Sequence, residues 1–212
     1  MNARLTTLSC CAALVLLAGC GGGGKEPDPL GVRDAQAVLP DAKSMPGWET
    51  IAEPTAYPLK EARSLNVARC LGKAPDSCAH VRYTGQADFR HRGMPELTFL
   101  VQTYPDAATA KSAYPVVWKE WKRWSVEPKP LAAGGIGEQS DAVAGTGVSL
   151  LPGSKELKMQ VRVGSVIMRT NVEALPKAKG AESLLTKSAK AFARRAEQVQ
   201  EGESPSAGLG HG

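Results

Sequence analysis

The first twenty residues decide how much of this chain is left to fold. Arg4 gives a short basic start. Leu8-Ser9-Cys10-Cys11-Ala12-Ala13-Leu14-Val15-Leu16-Leu17 is apolar, and the run closes on the small residues Ala18 and Gly19 before Cys20. A basic start, a short apolar core and small residues at its end make an export signal. The run is well short of the roughly 20 apolar residues that a membrane-spanning helix needs. Residues 1–19 are therefore read as a removed signal, and the other 193 of the 212 residues as an exported chain.

Leu17-Ala18-Gly19-Cys20 resembles the lipobox of bacterial lipoproteins. The resemblance implies that the Cys20 thiol receives diacylglycerol and that cleavage makes Cys20 the new N-terminus. It implies a place at the cell membrane, on the extracytoplasmic face. Two acyl chains hold a protein stably where one holds it marginally. Gly21-Gly22-Gly23-Gly24 is a flexible spacer, and Lys25-Glu26-Pro27-Asp28-Pro29 continues it with charge and proline. Residues 20–33 are thus expected to be a tether.

Removing residues 1–19 takes away one arginine and no acid, so the net charge falls from +5 to +4. That balance is mildly basic and shows no concentrated basic stripe. Export argues against a nucleic-acid partner more strongly still. Of the five cysteines, Cys10 and Cys11 leave with the signal and Cys20 is spoken for. Cys70 and Cys78 remain, and an even pair outside the cytosol reads as a disulfide. It would close a small loop at a chain-entropy gain of roughly 2–3 kcal/mol. A metal reading would add His80 to the two thiols, but one Cys-x7-Cys with one histidine is a poor zinc pattern.

Along the domain, Asp34 to Trp48 reads as a short helix and then a loop punctuated by Pro40, Pro46 and Gly47. Lys60 to Leu71 reads as a helix. Val81 to His91 and Glu96 to Tyr104 read as two strands of an antiparallel hairpin, with Leu97, Phe99 and Val101 alternating with polar neighbours in the second. Asp106 is a credible N-cap for a helix running to Trp124, with Pro115 a candidate kink. Val126 to Gly137 reads as a loop. Short strands follow near 141–144, 148–151, 157–163 and 166–172, with Gly164-Ser165 as a type II′ hairpin turn. A final helix spans Ala181 to Gln200, its buried stripe made of Leu185, Ala189, Phe192, Ala196 and Val199. Glu201 to Gly212 is polar and glycine-rich and is expected to be a disordered tail.

This order resembles many actinobacterial surface lipoproteins and the extracellular sensor domain of a mycobacterial Ser/Thr protein kinase. The matching pieces are Ala37-Val38-Leu39-Pro40 with Pro46-Gly47-Trp48, and the strand-then-helix run from Phe99 to Ala113. Gly135-Ile136-Gly137-Glu138 before a strand matches too, as does Val161-Arg162-Val163-Gly164-Ser165-Val166 before a terminal amphipathic helix. The similarity covers about residues 34–200. It implies a single α+β domain, an antiparallel sheet packed against helices, enclosing a cleft. The kinase sensor carries two disulfides, whereas this exported chain can form one.

No catalytic set emerges. Gly164-Ser165-Val166-Ile167 is not a nucleophile elbow, and Ser165 reads as a turn residue. Gly134-Gly135-Ile136-Gly137 neither follows a strand nor carries Lys-Ser/Thr, so it is a loop and not a phosphate cradle. Asp88 with Glu96, or Glu138 with Asp141, could form acid/base pairs, but surface carboxylates are the ordinary reading. No cofactor and no metal ligand set is expected. The unusual segment is Trp118-Lys119-Glu120-Trp121-Lys122-Arg123-Trp124, whose tryptophans span about 120° of one helical face. Such a stripe suits core packing, with Trp118 toward its polar edge. Trp118, Trp121 and Trp124 are also the candidate ligand-binding residues. The sequence thus predicts a non-enzymatic, sensor-like lipoprotein that binds an envelope ligand or a partner protein. The alternatives are a structural accessory of another membrane protein, or an unrecognised hydrolase.

Overall fold

The computed structural model describes residues 29–65, 78–92, 95–147 and 153–210. Seven antiparallel strands form one sheet, flanked by helices on both faces. In chain order the elements are α1 (Val32–Val38), β1 (Glu49–Pro58), α2 (Leu59–Ser64), β2 (Tyr83–Arg90), β3 (Glu96–Thr103) and α3 (Ala107–Lys122). Then follow β4 (Val126–Leu131), β5 (Gln139–Thr146), β6 (Lys155–Val163), β7 (Val166–Ala174) and α4 (Ala181–Gln200). The strand order is β1-β2-β3-β7-β6-β5-β4, so two meanders meet where β3 pairs with β7. Among the described residues no helix is long and apolar enough to cross a membrane.

Strand side chains alternate between faces, and the register makes the two faces chemically different. On one face Phe89, Leu97, Val172, Leu157 and Ala144 line up across β2, β3, β7, β6 and β5. One residue along, on the other face, the same strands present Asp88, Thr98, Asn171, Lys158 and Val143. The apolar face forms the main core with α1 and α4. There the buried stripe of α4 seats Phe192 edge-on against Phe99, with ring centroids 5.2 Å apart. Such an aromatic pair contributes about 0.5–1.5 kcal/mol beyond its buried area. The second face is covered in part by α3, through Tyr114, Val117, Trp118 and Trp121.

Local signals explain most boundaries. Asp106 caps α3 by accepting from the Thr109 amide at 2.6 Å. Gly164 takes φ +51° in the β6–β7 turn. The C-terminus of α4 closes in a Schellman pattern, with Gly202 at φ +78°, its amide bonded to the Val199 carbonyl and the Glu203 amide to the Gln198 carbonyl.

Several expectations need correction. Val126 to Leu131, expected as loop, is an edge strand, and β1, for which the pattern gave no strand, is the other edge. Both carry prolines, Pro54 and Pro58 in β1 and Pro128 and Pro130 in β4, and both have register shifts. Prolines fit on edges, where a missing amide costs no ladder bond and discourages further pairing. The tether ends earlier than residue 33, because Leu30 is buried in the main core and α1 begins at Val32. Residues 201–210 are held rather than disordered. Gln198 binds Ser206 and Ala207, and the Leu209 amide donates to the Ser44 carbonyl at 2.8 Å. The helix expected over Lys60 to Leu71 is described as far as Ser64, and its remainder beyond Leu65 lies outside the described residues, as does the strand expected near 148–151.

Candidate functional site

The polar sheet face is unusual because it is buried. In central strand β6 the charged or amide residues Lys158, Gln160 and Arg162 are 3%, 0% and 4% exposed. Burying charge costs several kcal/mol per ion unless partners compensate. Lys158 Nζ lies 3.0 Å from Glu156 Oε2, which also accepts from Ser125 Oγ at 2.6 Å. Burial pushes the Lys158 amine below its ordinary pKa, and Glu156 works against that shift. The ring of Trp121 lies close to two cations of this face, 5.7 Å from Lys158 Nζ and 5.6 Å from the Arg169 guanidinium. Nearer the start of α3, Tyr114 donates to the Gln160 carbonyl at 3.0 Å while Gln160 Nε2 donates back to the Tyr114 carbonyl at 2.8 Å.

Beyond the end of α3 this face opens into a hollow of about 210 Å³. Its floor is Gln86, Thr98, Leu100 and Asn171, its charged side is Glu156 and Lys158, and its aromatic wall is Trp121 and Trp124. Buried polar atoms remain without a hydrogen-bond partner among the described residues: Asn171 Oδ1 and Asp88 Oδ1, with Thr84 Oγ1 and both amide atoms of Gln102 farther along the face. Such groups in a folded protein call for water or a ligand. A larger cavity of about 660 Å³ lies on the opposite face, at the start of α4.

The tryptophans divide by where the helix stops. α3 ends at Lys122, with Arg123 as its C-cap, so Trp124 leaves the helical face and is 47% exposed. Trp121 is 4% exposed and lines the hollow while packing edge-on against Trp118, with centroids 6.0 Å apart. Trp118 is 8% exposed and is not part of the hollow, so it is not the partly exposed member that its place on the arc suggested. The sequence pointed to the aromatic wall but not to Gln86, Glu156, Lys158 or Asn171. The strict alternation of Glu156-Leu157-Lys158-Met159-Gln160-Val161-Arg162 reads as a solvent-facing strand, and only the sheet order reveals it as central.

The other candidates fall into structural settings. Ser165 is bonded to Gln200 through its amide at 3.0 Å. The His91 ring lies 5.5 Å from that of Trp48. Glu96 pairs with Arg90 at 3.6 Å, and Asp88 contacts Gln86 Nε2. Glu138 pairs with Arg162 at 2.6 Å and accepts from the Gly164 amide at 2.7 Å. Burial raises the Glu138 pKa, but these two donors outweigh it and hold the carboxyl below its ordinary value. Among the described residues no three His, Cys, Asp or Glu side chains gather as a metal site. Cys78 is disulfide-bonded. Cys20 and Cys70 lie outside the described residues.

No protein-family model matches the chain, and no curated protein matches it. Among solved structures, the extracellular domain of PknH from Mycobacterium tuberculosis is similar over 82% of this chain and 98% of that one. The TM-score is 0.51 at 11% identity, so the two share a fold.

Proposed function

We propose that this chain is a non-enzymatic extracytoplasmic binding module, lipid-anchored at Cys20, that takes a ring of an envelope saccharide in the hollow beside Trp121 and Trp124. The observation that carries the reading is a buried Lys158–Glu156 pair set beside exposed aromatic surface and the unpartnered amide oxygen of Asn171. Replacing a buried ion pair with apolar residues is often neutral or stabilising, so its presence in a central strand supports a role in recognition. Tryptophan faces stack on the C–H faces of sugars, and Asn, Gln, Glu and Thr side chains match hydroxyl and acetamido groups. At about 210 Å³ the hollow is below the usual 300–1,000 Å³ of small-molecule sites, which suits one unit of a longer chain.

The address rests on the export signal and the lipobox-like Leu17-Ala18-Gly19-Cys20, and a shared fold with an extracellular domain supports it. We pair Cys78 with Cys70. Thiol counting on the denatured, unreduced protein would find neither free, and a free Cys70 thiol would refute the pairing.

Every described element and the buried core lie between residues 30 and 200, so a chain starting at Gly21 keeps them all. Calorimetric titration of that chain with N-acetylglucosamine oligomers and soluble peptidoglycan fragments tests the site. Saturable binding should weaken at least about tenfold in Trp124→Ala, a loss of about 1.4 kcal/mol. Absence of binding, or equal binding by the variant, would refute the assignment.

A further inference from the structure

We propose that the groove between α4 and the β4–β6 end of the sheet holds an anionic phospholipid, with its phosphate at the lysine-ringed end and an acyl chain along the floor. Two cavities, of about 660 and 410 Å³, meet at Glu182 and follow the first turns of α4. The first is within the size range of sites that enclose a small molecule. Their floor is apolar, formed by Leu131, Ala144, Leu157, Met159 and Leu185. Around the first cavity stand Lys129, Lys155, Lys177 and Lys179, opposed by Glu127 and Glu182. Lys187 and Lys190 border the second. None of these six lysines forms an ion pair with a described residue, and all six are exposed. Lys155 is positioned by donating to the Ala178 carbonyl at 3.3 Å.

Clustered unpaired cations select an anion. The start of α4 reinforces them, because its N-cap is Gly180, which supplies no side-chain acceptor, and Gly180, Ala181 and Glu182 line the same cavity. A free phosphate would satisfy the lysines but leave the half-buried side chains of Leu131 and Ala144 in water. An amphiphile covers both, which favours a lipid over an inorganic ion or a nucleic acid. The groove lies on the sheet face opposite the polar hollow, so this reading stands or falls separately from the saccharide site.

The test incubates the chain starting at Gly21 with vesicles of phosphatidylglycerol or of phosphatidylcholine, removes the vesicles by flotation, and measures phosphorus left with the protein. Phosphatidylglycerol should be retained near one molecule per chain, and phosphatidylcholine far less. The exposed double variant K177E/K179E should retain at least about tenfold less, since each basic residue near an anionic lipid surface contributes about one factor of five to ten. Ala144→Phe, which fills the floor, should lower retention with the lysines intact. Should Ala144→Phe fail to fold, the lysine variant still decides. Equal retention of both lipids, unchanged retention by K177E/K179E, or full displacement by an equal concentration of inorganic phosphate would overturn the proposal.

Discussion

Arg195 offers the sharpest test of how this fold is held together. It sits on the inner face of α4, 4% exposed, and its guanidinium reaches the end of α1. Nε donates to the Val38 carbonyl at 3.1 Å, and Nη2 to those of Ala37 and Leu39 at 3.0 and 2.9 Å. Nη1 donates to the Ala207 carbonyl at 3.1 Å, which ties down the C-terminal segment. One side chain therefore satisfies carbonyls that the last turn of α1 leaves open, with a cation at the negative end of the helix. Arg195→Met keeps much of the stem but leaves the carbonyls behind. The Val38 and Leu39 bonds are the buried ones, and an unsatisfied buried carbonyl costs about 1–3 kcal/mol. Relief from burying a guanidinium offsets part of that, since burial already pushes the Arg195 pKa down, with Asp41 opposing. The net loss should be about 3 kcal/mol, or about 6–12 °C in Tm for a domain of this size. Amides of Ala207 and Leu209 should also lose hydrogen-exchange protection. Arg194→Ala is the control, because that side chain is 69% exposed and its ion pair with Glu197 should contribute under about 1 kcal/mol. If Arg195→Met melts within a degree or two of wild type with the tail still protected, the reasoning is refuted.

Trp121→Ala should cost about 3 kcal/mol, near the lower end for a large aromatic truncation, because water can enter the polar space beside Lys158; Trp124→Ala should change stability by under about 0.5 kcal/mol, and urea titrations of both variants would show it. Glu138 is held below its ordinary 4.5 and Asp41 below 3.8, where the Ser44 hydrogen bonds outweigh burial. Their stabilisation is therefore present above those values and lost as pH falls through the lower folded-state values, so the gap in Tm between wild type and Glu138→Gln should be larger at pH 7 than at pH 2.5. Cys20→Ala should abolish metabolic labelling with a fatty acid, and equal label on both proteins would refute lipid anchoring.

Where periodicity and a local cap coincided, the sequence was a good guide. α4 runs over Ala181–Gln200 as its apolar stripe predicted, and the β2–β3 and β6–β7 hairpins fall close to their expected limits. The edge strands were hidden by Pro54, Pro58, Pro128 and Pro130, whose tolerance depends on having no neighbour on one side, a tertiary fact. Order at 203–210 was hidden for a similar reason, since Ser44 anchors it from far along the chain and Arg195 from the inner face of α4. The tryptophan wall was legible as a stripe, but the end of α3 at Lys122 separated Trp124 from Trp118 and Trp121. Lys158 and Glu156 looked like ordinary solvent-facing residues because a single strand cannot reveal that a helix covers it.

The central claim is that the polar face beside α3 is the binding surface, and the tryptophan indoles report on it directly. Trp121 and Trp124 line the hollow, Trp118 lies behind Trp121, and Trp48 packs against the core beside His91, away from it. Nitrogen-15 labelling of the indoles, followed by titration with N-acetylglucosamine oligomers, resolves all four tryptophans in one NMR spectrum. The account predicts saturable shifts at Trp121 and Trp124, a smaller one at Trp118 and none at Trp48. Shifts led by Trp48, or no saturable shift at any indole, would contradict it.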